Sequence, residues 1–131
     1  MTYTAGYAGR TVDELDQLAE KLNAIVIDIR YSPRSRRPEW SRKRLIERFG
    51  ERYYHLPEWG NVNYNRPTEP IKINDLKEGS FRLPKIMKAN PGMNVILLCY
   101  CGDREICHRK TVATLVWMGN GVQEVDWGVI E

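Results

Sequence analysis

Two stretches are apolar at nearly every position: Ala24-Ile-Val-Ile-Asp-Ile29 and Val95-Ile-Leu-Leu-Cys99. Short runs without polar alternation predict strands covered on both faces, as in parallel sheets. Residues 2–5 alternate polar with apolar and predict a first strand. Residues 52–56 are β-rich and closed by Pro57, and residues 122–125 predict a last short strand. Helical spacing fills the gaps. Thr11 and Glu14 form a capping box ahead of Leu15, Leu18 and Leu22, which line one helical stripe. Ser41 caps a short basic helix with Leu45, Ile46 and Phe49 on its apolar side, ended by Gly50. Asp75 caps another helical stretch, which Gly79 and Pro84 are expected to interrupt. A last helix is expected from about Cys107 to Met118, packing through Val112, Leu115 and Val116 and stopped by Gly119-Asn-Gly121.

This alternation predicts an α/β fold: a Rossmann-like three-layer sandwich, with a mostly parallel sheet of about five strands and helices on both faces. One domain over residues 1–131 is expected. The strand order expected for such a chain is three-two-one-four-five, which sets the ends of strands one and four side by side. Residues 6–10 then face residues 99–109, with residues 28–34 as the next neighbour. Ligand sites of open α/β sheets lie at that edge.

Composition narrows the class without naming a function. At 42% hydrophobic and 28% charged residues, the chain is globular rather than disordered. No apolar run is long enough to span a bilayer, and the start of the chain lacks signal-peptide character, so a cytoplasmic location with reduced thiols is expected. Three cysteines within nine positions do not make a disulfide framework. Charge is uneven. Between Arg30 and Arg48 stand eight cations against Glu39 and Glu47, a local +6 in a chain whose total is +3. Such a block reads either as a surface for phosphate or nucleic acid or as a solvated helix face with an exposed loop.

Candidate chemistry concentrates in residues 99–109, which hold every cysteine and one of the two histidines. Arg10, Arg30, Arg34, Arg104 and Arg109 all fall at the expected edge, where arginine forks match phosphate oxygens. Tyr7, Tyr31, Trp40 and Trp59 share those loops and can stack a base. The competing reading is that the arginines pair with Asp28, Asp103 and Glu105 as a structural network. Cys101 or Cys107, near a helix start and flanked by Arg104, His108 and Arg109, suits a thiolate nucleophile. His108 suits acid–base work, whereas His55 and Cys99 read as structural. The spacing of Cys99, Cys101, Cys107 and His108 is not that of a zinc site, so neither a metal nor a cofactor is expected. The tyrosine-phosphatase signature fails as well, because Cys107 stands six positions after Cys101 where it needs arginine.

Several segments together resemble the bacterial and archaeal family called domain of unknown function 488. They are Tyr3-Thr-Ala-Gly-Tyr-Ala-Gly-Arg10, Val26-Ile-Asp-Ile-Arg30, Ser32-Pro-Arg-Ser-Arg36, Tyr54-His-Leu-Pro-Glu-Trp-Gly60 and Leu97-Leu-Cys99 running to Cys107-His-Arg109. The resemblance implies the α/β fold but no established activity. Where members usually carry a glutamate two residues after the first cysteine, this chain has Cys101. Tyr100-Cys-Gly-Asp-Arg104 also resembles the active loop of rhodanese-type sulfurtransferases. The leading expectation is a protein that binds a phosphate-bearing ligand, a nucleotide or nucleic acid, through Tyr7 and the arginines. A hydrolase or transferase role would use Cys107, His108 and Cys101. A cysteine sulfurtransferase and a non-catalytic nucleic-acid-binding module are the alternatives.

Overall fold

A computed structural model describes residues 2–32, 37–64, 66, 68–100 and 122–130. Strands β1 (Thr2–Gly6), β2 (Ala24–Asp28), β3 (Tyr53–His55), β4 (Asn94–Cys99) and β5 (Val122–Glu124) form one sheet in the order β3-β2-β4-β1-β5. All four pairings are parallel. The α-helices among the described residues are α1 (Val12–Leu22), α2 (Arg42–Phe49) and α3 (Leu76–Ala89). Among the described residues no helix is long and apolar enough to cross a membrane.

Side chains on successive strand residues point to opposite faces, and this period of two divides the core. Val26, Ile96 and Leu98 pack with Leu15 and Leu18 of α1 and Leu45 and Phe49 of α2. Ile25, Ile27, Ile29, Val95, Leu97 and Cys99 pack on the other face with Leu83 and Ile86 of α3. Helices therefore cover both faces, as the apolar runs predict. The handedness of parallel connections accounts for the sides. The chain moves in one direction from β1 to β2 to β3 over α1 and α2, then reverses to β4 over α3, and right-handed crossovers put the reversed connection on the opposite face.

The strand order corrects one expectation. β4, not β1, lies beside β2, with Ile27 opposite Leu97 and Asp28 opposite Leu98. β4 is buried at five of its six positions, whereas β1 carries Thr2 and Thr4, so the most apolar strand takes the sheet centre. Asn94 fixes the choice at the other end. Its backbone N–H donates to the Asn23 carbonyl at 2.9 Å, and its Nδ2 donates to the Leu22 carbonyl at 2.6 Å. The ends of β1 and β4 are nevertheless adjacent as expected, Gly6 lying opposite Cys99.

The caps fall where the sequence places them. Thr11 and Glu14 close a capping box on α1, Ser41 caps α2, and Asp75 caps α3. The expected interruption of α3 does not occur. A Cβ on Gly79 would sit 2.0 Å from Trp59 Nε1, so glycine here admits the indole against the helix rather than ending it. Pro84 lies on the exposed side of the helix, as does Ser80, whose carbonyl loses the N–H that a proline lacks. The polar loop after β3 also has internal order. A 3-10 turn spans Pro57–Trp59, and Asn61 bridges Ile73 while its Oδ1 accepts from the N–H groups of Asn63 and Lys72.

Candidate functional site

The carboxyl ends of β1, β2 and β4 carry a polar cluster set into the edge of the core. Asp28 ends β2 on the face toward α1 and α2, and Arg30 follows two positions later, so both side chains take the same side. Asp28 is fully buried and Arg30 is 6% exposed. Arg30 Nε donates to Asp28 Oδ1 at 2.8 Å and Nη2 donates to Oδ2 at 2.6 Å, a fork-on-fork ion pair. The Arg30 backbone N–H adds a third bond to Oδ1 at 3.1 Å, and the Tyr53 hydroxyl donates to Oδ2 at 2.5 Å. With four donors converging on it, Asp28 has its acceptor capacity filled from inside the protein.

Arg30 then reaches past β4 to the end of β1. Its Nη1 donates to the Tyr7 hydroxyl at 3.2 Å, and the guanidinium lies 5.3 Å from the centre of the Tyr7 ring. Tyr7 stacks on Trp40 with centroids 4.2 Å apart and planes 15° from parallel. Tyr100, the residue after β4, meets Tyr7 edge-on at 5.4 Å. His55, at the end of β3, donates from Nε2 to the Arg30 carbonyl at 2.8 Å, which holds the backbone after β2 and fixes the ring's tautomer. Its expected structural role is the one observed.

Electrostatics follow from this packing. Burial disfavours the charged Arg30 guanidinium, but the hydrogen bonds and charge of Asp28 outweigh it, and its pKa rises above the ordinary arginine value. Burial also pushes the Tyr53 phenol up, reinforced by the negative charge of Asp28, well above the ordinary tyrosine range. At neutral pH the cluster thus holds a charged arginine beside the neutral Tyr53 phenol.

The donor balance is one-sided. A guanidinium carries five N–H groups, and Arg30 spends three on Asp28 and Tyr7, leaving one each on Nη1 and Nη2. The Tyr7 hydroxyl accepts from Arg30 and keeps its own hydrogen to donate. Trp40 Nε1 is buried with no acceptor among the described residues, a rare state for a buried N–H.

The other candidates distribute differently. Arg10 bonds Glu14 at 3.2 Å and lies 4.9 Å over the Trp127 ring, sharing none of the contacts that join Tyr7 to Arg30. Arg34, Cys101, Arg104, Cys107, His108 and Arg109 lie outside the described residues. So does the helix expected from Cys107 to Met118. Cys99 is buried in the core, as its place at the end of an apolar strand predicts. Among the described residues no three His, Cys, Asp or Glu side chains gather as metal ligands would.

The stacking expectation needs correction. Tyr7, Trp40 and Trp59 are all buried, so none presents a face to a base. Trp59 is a core residue whose Nε1 donates to the Leu76 carbonyl. Among the described residues the exposed rings are Tyr31, Tyr64, Tyr100 and, on α3, Phe81. The basic run also changes character. Of its five described arginines, Arg30 pairs with Asp28, Arg37 with Glu39, Arg44 with Glu47, and Arg48 with Asp13 and Asp16; Arg42 alone has no carboxylate among the described residues. Tyr53 was missed from sequence. Its register opposite Val26, whose side chain shares the face of Asp28 two residues on, is the signal that could have found it.

A family model described as "Domain of unknown function DUF488" matches residues 11–116. No curated protein and no solved structure matches the chain.

Proposed function

The chain belongs to the DUF488 family, and from its own geometry we propose that it binds a small phosphate-bearing ligand at the carboxyl edge of β1, β2 and β4. The observation that carries this reading is the donor surplus. Two N–H groups of a nine-tenths buried arginine, the Tyr7 hydroxyl and, on the ring stacked against Tyr7, the orphaned Trp40 Nε1–H have no acceptor among the described residues. Buried donors left unmade cost free energy, and a phosphate has several oxygens to satisfy them. Asp28 does not compete for the ligand, because its role is to hold the guanidinium in place. On this reading Cys101, Cys107 and His108 are the groups for a hydrolase or transferase step on that ligand, with Arg34, Arg104 and Arg109 as further phosphate contacts. The carboxylates on Arg37, Arg44 and Arg48 weigh against the run acting as a broad nucleic-acid surface.

The test is calorimetric titration of the full chain with pyrophosphate and ribose 5-phosphate. Arg30→Lys keeps the charge that Asp28 needs but loses the fork. It should weaken binding by roughly 10-fold or more, about 1.4 kcal/mol, while far-UV circular dichroism stays unchanged. Binding that survives both Arg30→Lys and Tyr7→Phe, or no binding by the parent chain, overturns the reading. A persulfide on Cys101 or Cys107 after thiosulfate treatment, in a chain blind to phosphate, would instead favour the sulfurtransferase. Affinity for RNA that collapses with salt and ignores Arg30→Lys would favour the nucleic-acid module.

A further inference from the structure

Three exposed tyrosines rim the same sheet edge. Tyr31 follows Arg30, Tyr64 lies in the loop after β3 with its ring centre 6.2 Å from that of Tyr31, and Tyr100 follows β4. Solvent-exposed rings at one edge are unusual in a chain that buries its other aromatics here, Tyr7 and Trp40, almost completely. Tyr100 is the most open of the three, at 60% exposed, yet it is not loose. Its carbonyl accepts from the Ala8 N–H at 2.9 Å, and its ring rests edge-on against Tyr7. Tyr31 is pinned as well, since a Cβ on Gly60 would come within 2.4 Å of the Tyr31 backbone, so only glycine permits that approach.

The contacts form a chain from Arg30 through Tyr7 to Tyr100. The Arg30 guanidinium lies 5.3 Å from the Tyr7 ring, and the Tyr7 ring lies 5.4 Å from Tyr100. A ligand with its phosphate on Arg30 and Tyr7 would place its next chemical unit beside a rigid, exposed aromatic face. Resting on the phosphate reading above, we propose that Tyr100 stacks the base of a nucleoside phosphate, making nucleotides the preferred ligand class over bare phosphates and sugar phosphates. The phosphate supplies the charge match at Arg30, and the base lies against the exposed ring of Tyr100. Stacking tolerates any base, because each has a π-face, so the preference separates nucleotides from sugar phosphates more than it separates one base from another.

The experiment compares ribose 5-phosphate with AMP and UMP by calorimetric titration on the parent chain, Tyr100→Ala and Tyr100→Phe. The expected result is roughly 10-fold tighter binding of both nucleotides than of ribose 5-phosphate, an advantage lost in Tyr100→Ala and kept in Tyr100→Phe. Equal affinity for nucleotides and ribose 5-phosphate in the parent chain overturns the stacking proposal while leaving the phosphate site standing. An advantage that persists in Tyr100→Ala also overturns it. If neither ligand class binds at all, the phosphate site falls and the base site falls with it.

Discussion

Two arginine–aspartate clusters flank this molecule, and they behave as different kinds of matter. In one, Arg30 and Asp28 sit inside the carboxyl edge of the sheet, with side chains 7% and 0% exposed. In the other, Arg48 and Arg52 reach from the α2 side to Asp16 on α1 at 2.7 and 3.1 Å, and Arg48 also takes Asp13 at 2.8 Å. Ion pairing is as close in both, so distance does not separate them. What differs is solvent: Arg48 is 44% and Asp13 70% exposed, and water screens what they gain. An open cleft of about 480 Å³ lies beside the second cluster, lined among others by Thr11, Asp13, Glu39, Arg44 and Arg48. Its cations are already neutralised by carboxylates, whereas the first cluster leaves donors unspent. The lesson is that a positive residue suggests a ligand by what its carboxylate leaves over, not by its charge.

The largest expected effect is on the buried pair. Asp28→Ala leaves a desolvated guanidinium without its counter-charge, which should cost about 3–5 kcal/mol of stability, nearly independent of salt. Urea unfolding at low and high sodium chloride measures this, and a loss below about 1 kcal/mol would put the pair in the surface class. Tyr53→Phe comes next. It removes a hydrogen bond to a buried carboxylate, worth about 1.5–3 kcal/mol. The variant also carries a pH signature. Because burial and Asp28 raise the Tyr53 pKa in the folded chain, the unfolded chain releases this proton first, and stability falls as pH rises past about 10. The difference between parent and Tyr53→Phe should therefore shrink above that pH. A difference that stays constant would mean the phenol does not feel Asp28.

Much of the frame was legible because it is written locally. The capping box of Thr11 and Glu14, the caps at Ser41 and Asp75, and the apolar runs of β2 and β4 each lie within a few residues of what they specify. The strand order was not legible in the same way. It depends on which strand takes the centre, and the Asn94 bonds to Leu22 and Asn23 that hold β4 beside β2 join residues some seventy positions apart. α3 misled for a related reason. Gly79 and Pro84 read as breakers until Trp59 is seen filling the space a side chain would take. At the site, Asp28 and Arg30 were visible at the end of an apolar strand, but the Tyr53 hydroxyl that completes the cluster comes from another strand. Buried Tyr7 and exposed Tyr100 look alike in a sequence, and only their partners tell them apart. The basic run hid its neutralisation because Asp13 and Asp16 lie on α1, more than thirty residues before Arg48.

The smallest effect tests the other side of the comparison. Burial alone would raise the Asp16 carboxyl, but hydrogen bonds from Arg48 and Arg52, and their charge, overcome it and hold its pKa below the ordinary aspartate value. A carboxyl depressed in the folded state contributes stability above the unfolded value, near pH 4, and loses it as pH falls through the lower folded value. Asp16→Asn should therefore cost about 0.5–1 kcal/mol at neutral pH, with the deficit fading in acid below about pH 4. Salt gives an independent axis. Since Arg48 is open to water, the deficit should shrink at about 1 M sodium chloride, where the screening length is about 3 Å. Asp28→Ala should show no such relief. If the Asp16→Asn deficit matched that of Asp28→Ala in size and ignored salt, solvent would not be what divides the two clusters, and the distinction between a surface pair and a ligand-ready arginine would lose its physical basis.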